Sequence, residues 1–536
     1  MLKEIICDRI PEGKMVFRAG LNAIVGDESA SNSIGKSSAL LMIDFALGGD
    51  LYAKRDDIVK NIGHHDIKIH YVFNGTDYFF LRTTGDPNNV HLCDANYQIT
   101  GTIRNTDYKQ QLYELYGVHA EPLKFGELIS QFCRVYGKNN YNERQPLDPG
   151  YSQSGEDRVV YLVKLFGCYY KIEEQNRIVK EAEDRKSSYN KVVRLKLVAP
   201  VKTKKEYKEI VKDIDRLENE AKVIKAGIAS QTMNLTSEQL EQISVLKLRL
   251  SRVQNEKALI NGTINRLNRN LHEAIDEIVV DISQIQAFFP AIEIRKVDEI
   301  NQFHAKIVGI LREEIKERLE HEQKDLSRIA RVENEIVEKI KEVAINDSSS
   351  DLALDRLVET KQTIDGLIQG KASYELIQQL ATDYKDSKEM YDKILEDILA
   401  RVAFDINKEM ESLNKTILGE GKKSPLVFLA PNKYSIKSED DTGTGTNYRV
   451  LITFDLAIFN LTTLPVLIHD SLLFKNIDDD ALDGILTLYD SKTDKQVFIS
   501  IDKVGSYGKK VQTIVERSKV LQISEEHPFY GKSWKE

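Results

Sequence analysis

Gly26-Asp27-Glu28-Ser29-Ala30-Ser31-Asn32-Ser33-Ile34-Gly35-Lys36-Ser37-Ser38 is the stretch on which the fold turns. It follows a short apolar run, Ala23-Ile24-Val25, and precedes Leu40, Leu41, Ile43 and Leu47, which give Ser37 to Leu47 an apolar helical stripe. In a strand, loop and helix of this kind, backbone amides at a helix N-terminus converge on phosphate oxygens. The tail Gly35-Lys36-Ser37 closes the pattern GxxxxGK[ST], in which the lysine reaches the β and γ phosphates and the hydroxyl ligates Mg²⁺. The window aligned on that tail opens at Ala30, so the leading glycine is missing and Gly26 stands four residues too early. The competing reading is an ordinary Gly/Ser surface turn. The flanking strand and helix favour phosphate binding, with Asn32, Ser33, Ile34, Gly35, Lys36, Ser37 and Ser38 around the nucleotide and Ser37 on the metal.

Outward from the loop, Ile67, Ile69, Tyr71 and Phe73 alternate along a strand, Asn74-Gly75 marks a hairpin, and Tyr78, Phe80 and Arg82 continue beyond it. This predicts an antiparallel layer beside the nucleotide core. The far end of the chain has short runs of its own. Leu426-Val427-Phe428-Leu429 reads as a strand, Tyr448 to Phe459 as a helix and Val497-Phe498-Ile499-Ser500-Ile501 as a buried strand. Pro465-Val466-Leu467-Ile468-His469-Asp470 is a buried strand ending in a carboxylate, which suits Asp470 to hold Mg²⁺ together with Ser37. The alternative for Asp470 is a cap on the next helix. The polar loop Thr442-Gly443-Thr444-Gly445-Thr446 offers amides and hydroxyls ahead of a helix, suited to a γ-phosphate on a second subunit; its alternative is a flexible turn.

Between the two ends the sequence turns helical and charged. Ile243, Leu250, Ile264 and Leu271 fall on one heptad seam, broken by Lys257, and Leu246, Val253, Ile260, Leu267 and Ala274 fill the other. A second tract, from Leu311 and Ile315 to Ile340 and Val343, has a less regular register. Pro200, Phe288-Phe289-Pro290 and the run Asp347 to Asp351 read as breaks. The expected organisation is an N-terminal lobe over 1–160, a coiled-coil arm over 161–418 with a reversal near 286–305, and a C-terminal lobe over 419–536. Roughly 100 helical residues would reach on the order of 150 Å. A compact bundle of separate helices is the alternative.

Hydrophobic residues make up 41% and charged residues 30% of the 536, enough apolar surface for a real core with a helical bias. A formal net charge of -9 argues against a uniformly basic nucleic-acid clamp but leaves room for a local basic groove. Cys7, Cys93, Cys133 and Cys168 include no C-x-x-C pair, so a zinc hook has no ligands and a reducing, cytoplasmic setting is expected. The opening MLKEIICDRI does not suit a signal peptide, and no apolar run approaches ~20 residues, so no membrane association is expected.

In its order of phosphate loop, coiled-coil insertion, glycine loop with helix, and carboxylate-tipped strand, the sequence resembles the SMC-like branch of the ABC ATPases. Within that branch it is similar to the SMC-like ATPases of bacterial ABC three-component and Lamassu-type defence systems. The resemblance rests on Ser31 to Ser38, on Phe125-Gly126-Glu127-Leu128-Ile129-Ser130 with Phe132 and Arg134, on Gly443-Thr444-Gly445 and on His469-Asp470-Ser471. It covers both ends of the chain; the coiled coil matches only in kind. It implies an α/β ABC-type ATPase head assembled from N- and C-terminal lobes with a long antiparallel coiled-coil insertion. It implies two such heads dimerising around ATP and Mg²⁺, with Gly443 and Gly445 in the signature-loop position and Gln131 in the Q-loop position. DNA as ligand, and effector and accessory subunits as partners in an antiphage complex, are further implications. No nuclease cluster is recognisable, so the toxic chemistry is assigned to another subunit.

The sequence departs from that pattern at the catalytic positions. Ser471 stands where a glutamate usually follows the Walker B aspartate, and the loop reads TGTGT instead of LSGGQ. Asp502-Lys503 stands where a switch histidine is common. His469, Asp478 and Asp502 are the candidates to substitute, and hydrolysis is expected to be slow or activated by DNA and partners. A DNA-repair or chromosome-organising ATPase, and an adaptor that binds ATP without hydrolysing it, remain as other readings.

Overall fold

The computed structural model describes residues 1–29, 31, 34–194, 201, 203–231, 237–276, 294–343, 351–438 and 443–532. Two compact units result: a head of Met1–Ala182 with Tyr384–Glu536, and a helical unit of Glu183–Asp383.

The head is organised by a five-stranded parallel sheet whose strands come from both ends of the chain. Its order is β13 (Lys519–Gln522), β3 (Gly20–Val25), β12 (Gln496–Ile501), β11 (Val466–His469) and β8 (Cys133–Arg134). The N-terminal β3 thus lies between two C-terminal strands, pairing Gly20 to Val25 with Gln496 to Ile501. β3, β11 and β12 are buried along their whole length, as expected of parallel strands covered on both faces. The cover includes α1 (Lys36–Ala46) on β3 and β12, α12 (Thr444–Leu461) on β11, and α13 (Asp479–Asp490) and α14 (Lys509–Ser518) on β3.

A six-stranded antiparallel sheet forms the second layer. It comprises β1 (Leu2–Ile6), β2 (Lys14–Val16), β4 (Asp66–Phe73), β5 (Thr76–Thr83), β6 (Asn89–Cys93) and β7 (Ile99–Arg104), in the order β2-β1-β4-β5-β6-β7. Asn74 and Gly75 join β4 to β5 with φ of 52° and 79°, the two positive values that a tight hairpin needs. This sheet steadies the C-terminal end of α1, whose last carbonyls lack helical partners. Tyr71 and Tyr108 hydroxyls donate to the Ala46 carbonyl, and the buried Arg82 guanidinium donates to that of Phe45 and sits 3.8 Å over its ring. Tyr108 belongs to α4 (Asn105–Leu115). α2 (Leu51–Lys54), α3 (Asp56–Ile62), α5 (Phe125–Gln131) and α6 (Gly155–Leu165) complete the N-terminal lobe.

Leaving the head, α7 (Glu173–Arg194) is followed by α8 (Lys204–Gln231), α9 (Ser237–Asp276), α10 (Ile294–Val343) and α11 (Asp351–Leu418). α9 and α10 pair antiparallel: Lys257 meets Glu333, while Leu267, further along α9, lies with Ile315 and Arg318, earlier in α10. The α9 seam positions are covered or half-covered from Ile243 to Leu271, whereas off-seam Leu259 is 74% exposed. α10 proves more regular than its sequence reads, because Glu322 and Glu333 occupy seam positions between Ile315, Leu319, Leu326, Ile329, Ile336 and Ile340. Each glutamate has a cation at hand: Arg318 lies 3.1 Å from Glu322, and Lys257 lies 2.6 Å from Glu333. The residue that interrupts one seam therefore answers the residue that interrupts the other.

Two expectations change. Residues 294–305 are already helix in α10, so they are no part of a reversal; the rest of that window, with Phe288-Phe289-Pro290, lies outside the described residues, as do Pro200 and 347–350. Residues 161–182 and 384–418 belong to the head, since Leu395, Leu399, Val402, Ile406, Met410, Leu413 and Ile417 of α11 are buried in its core. The strand read at Leu426 is present, and it pairs outside the central sheet. There β9 (Leu426–Ala430) and β10 (Lys433–Lys437) form a separate hairpin with Leu426 and Phe428 exposed. The fold class itself is as read: an α/β head closed from both chain ends, with an antiparallel coiled-coil insertion.

One polar joint fastens the lobes from within. Arg134 on β8 reaches Asp455 in the middle of α12 through two N–H groups, at 2.5 and 2.7 Å, with both side chains fully buried. Its remaining donors meet the carbonyls of Asn140 and Pro146. Removing one member of such a pair leaves the other charge buried without compensation. Asp455→Ala is expected to lower the stability of the head by about 3 to 5 kcal/mol, measured as the shift of its urea unfolding transition.

Candidate nucleotide site

β3 ends at Val25, and the Gly26 amide donates to the Ile501 carbonyl at 2.7 Å, placing the loop between β3 and β12. Within the loop the Asp27 carboxylate accepts the Ser31 amide at 2.8 Å. Gly35 then opens α1 with φ of 99°, a conformation that suits glycine, and an added Cβ would lie 2.4 Å from Phe529 Cβ. Asn32 and Ser33 lie outside the described residues.

The lysine and the first serine of the motif both have partners. Lys36 Nζ donates to the Ser31 carbonyl at 2.7 Å and sits 2.8 Å from Asp502 Oδ1. Ser37 Oγ donates to Asp470 Oδ2 at 2.6 Å. Asp470 is fixed on every side. Oδ2 also accepts the Tyr136 amide at 3.1 Å, and Oδ1 accepts the Ser471 amide at 2.8 Å and the Ser500 hydroxyl at 2.6 Å. Asp470 thus caps the short turn Ser471–Leu473 and also accepts the Ser37 hydroxyl.

Lys36, Ser37, Asp470 and Asp502 line a cavity of about 450 Å³ with Ile34, Gly35, Ser38, Arg55, Asp57, Tyr136, Ser471, Leu472 and Lys475. A hydroxyl and a carboxylate oxygen converging at its floor are the hard donors that Mg²⁺ takes, and the amides at the start of α1 and the Lys36 ammonium suit phosphate oxygens. The residues present thus fit a magnesium nucleotide.

Several sequence-chosen residues fall elsewhere. His469 points into the core, with Nε2 3.1 Å from Asp455 Oδ2 and Nδ1 2.7 Å from the Tyr489 hydroxyl, so it is no candidate base. It lies next to Asp470 in sequence but on the other face of the strand, as the alternation of a β-strand dictates. Gln131 donates to the Pro146 carbonyl at 2.9 Å and lines a different cavity with Glu127 and Tyr151, so the structure does not bring it to the phosphate loop. Asp478 caps α13 by accepting the Ala481 amide. Gly443 and Thr444 begin α12 and are not among the residues that line this cavity, and at Gly445 a Cβ would lie 1.9 Å from the Asn476 carbonyl oxygen. Thr442 lies outside the described residues. Ser471 and Asp502 do line the cavity.

The sequence reading missed Ser500, the Tyr136 amide and the Arg55–Asp57 ion pair at the cavity wall. Ser500 carries a faint signal as a small polar residue inside an apolar strand. A backbone amide carries none.

The C-terminal lobe has a family counterpart: residues 401–527 match a family described as "Uncharacterised protein conserved in bacteria (DUF2326)". No curated protein matches the chain. Among solved structures, the Smc head domain with a coiled coil and joint from Pyrococcus yayanosii is similar at 15% identity and a TM-score of 0.39, over 94% of this chain and 92% of that one. The Smc head domain with an extended coiled coil bound to the C-terminal domain of ScpA, from Pyrococcus furiosus, is similar at 11% identity and a TM-score of 0.38, over 96% and 91%. Among the described residues no helix is long and apolar enough to cross a membrane.

The buried joint next to the site gives the head a pH dependence. Burial pushes the His469 imidazole below its ordinary value of 6.5, against the pull of Asp455. Burial alone would raise the Asp455 carboxyl, but the Arg134 guanidinium and the His469 imidazole together outweigh it and hold it below the usual range. Below pH 6.5 the unfolded chain takes up a proton at this histidine before the folded head does, so stability present above 6.5 declines as the pH falls. Thermal melts of the head from pH 8 to pH 5 are expected to show this decline, with a shallower slope in His469→Gln.

Proposed function

We propose that this chain is an SMC-like ATPase subunit of the ABC three-component or Lamassu type, binding Mg-ATP in the cavity at Lys36 and joining two heads around it. The observation that carries the reading is the 2.6 Å contact of Ser37 with Asp470, which brings a phosphate-loop hydroxyl and a strand-end carboxylate together from opposite ends of the chain. Lys36 beside them supplies the positive charge for the β and γ phosphates. Ser37 and Asp470 would hold magnesium, whose charge offsets that of the phosphates. Lys475, which also lines the cavity, adds positive charge to the approach, while the charge of Arg55 is met by Asp57.

Gly443 to Gly445, at the N-terminus of α12, present backbone amides outside this cavity. In the proposed dimer they complete the ATP site of a second copy. DNA engagement, effector partners and an antiphage role follow from the resemblance of the motifs, and the coiled-coil insertion is the element that would meet or report DNA. Ser471 in the place of a catalytic glutamate favours slow hydrolysis, with an ATP-binding adaptor as the second reading.

Lys36→Ala is expected to weaken ATP binding by about tenfold or more, the loss of ~1.4 kcal/mol of phosphate pairing. Calorimetry on the full chain measures it, and unchanged affinity removes the assignment. Gly443→Arg is expected to keep ATP binding but to lose ATP-dependent crosslinking between a cysteine near Ser471 and one near Gly445 of another copy. Crosslinking that is equal with and without ATP, and unaffected by Gly443→Arg, contradicts the two-headed clamp.

A further inference from the structure

The cavity at the phosphate loop carries three carboxylates, Asp57, Asp470 and Asp502. Asp57 is tied to Arg55, and Asp470 to Ser37, Ser500 and two backbone amides. Asp502 stands instead on the lysine of the phosphate-loop motif, with Oδ1 2.8 Å from Lys36 Nζ and both residues buried. The approach is built into the backbone. Gly26 packs directly beneath the carboxylate, where an added Cβ would lie 1.9 Å from Asp502 Oδ1. That explains a glycine at a position four residues outside the usual motif window. A phosphate that reaches Lys36 must therefore meet a fixed negative charge within a few ångströms, in surroundings that screen it poorly.

We propose that Asp502 is a specificity-determining residue, which makes this site reject metal-free polyphosphates and accept a nucleotide only as its divalent-metal complex. Repulsion from the carboxylate grows with the ligand's own charge, which is about four units negative for free ATP near neutral pH and about two for its magnesium complex. The same carboxylate competes for Lys36, so the ligand must displace it or share the ammonium with it. The inference rests on the ATP reading and adds the form of nucleotide that the site selects.

The test is calorimetric titration of the full chain, as wild type and as Asp502→Asn, with ATP in Mg²⁺ and with ATP in EDTA. Asparagine keeps the shape and removes the charge. The variant is expected to bind the magnesium complex about tenfold more tightly than wild type and metal-free ATP about a hundredfold more tightly. Its preference for the metal complex then shrinks by about tenfold. An equal gain in both conditions, no gain, or a loss overturns the proposal while leaving the ATP reading intact, provided that wild type binds Mg-ATP. Failure of both proteins to bind Mg-ATP overturns both. The ligand-free melting temperature reports folding, and Asp502→Ser takes the place of an asparagine variant that fails to fold.

Discussion

The pairing of β3 with β12 and β13 is the constraint on which the head depends. Gly20 to Val25 lie in register with Gln496 to Ile501 on one side and meet Lys519 to Gln522 on the other. A strand buried on both faces and hydrogen-bonded on both edges cannot leave its sheet without exposing apolar surface and unpaired backbone groups together. The two ends of the chain must therefore meet before either is complete. The loop that carries Lys36 leaves the C-terminal end of β3, so the sheet also decides where Lys36 points. β12 supplies Ser500 and leads directly to Asp502, and β11 leads to Asp470. The cavity is assembled from strand ends, where the carboxyl edge of a parallel sheet opens to a ligand.

A second layer of order lies beneath that edge. Arg134, Asp455, His469 and Tyr489 form a buried polar chain across β8, α12, β11 and α13. Its two strand members are paired in register, His469 with Arg134. Beyond them, the Asp470 amide donates to the Arg134 carbonyl and the Tyr136 amide to Asp470 Oδ2. The helix that begins at the glycine loop is thus fastened through Asp455 to the two strands that set the Asp470 carboxylate. Buried ion pairs contribute little net stability but are costly to break, and this one gives α12 a defined place relative to the Asp470 carboxylate.

The helical unit follows a different rule, since its register is written locally. Lys257 and Glu333 each look like faults when their own helix is read alone, and become one ion pair when α9 lies on α10. Polar residues at seam positions fix register and partner at some cost in stability. A slip by one heptad would part this pair and place both charges against apolar neighbours.

The strand, loop and helix around Gly35, the hairpin at Asn74-Gly75, the α9 heptads and the strand that ends at Asp470 were legible in the sequence, because each depends on residues within a turn or two of one another. So was the joining of both ends into one head, which the Ser37 contact with Asp470 accompanies. Tertiary structure alone decided which side chains face the cavity. His469 and Asp470 are adjacent in sequence, yet the alternation of β11 sends one to Asp455 and the other to Ser37. Gln131 is drawn to Pro146, and Asp502 is brought onto Lys36 by the order of strands β3 and β12. Such placements depend on which strand lies next to which, a long-range choice made when the sheet closes and carried by no local stretch of the chain.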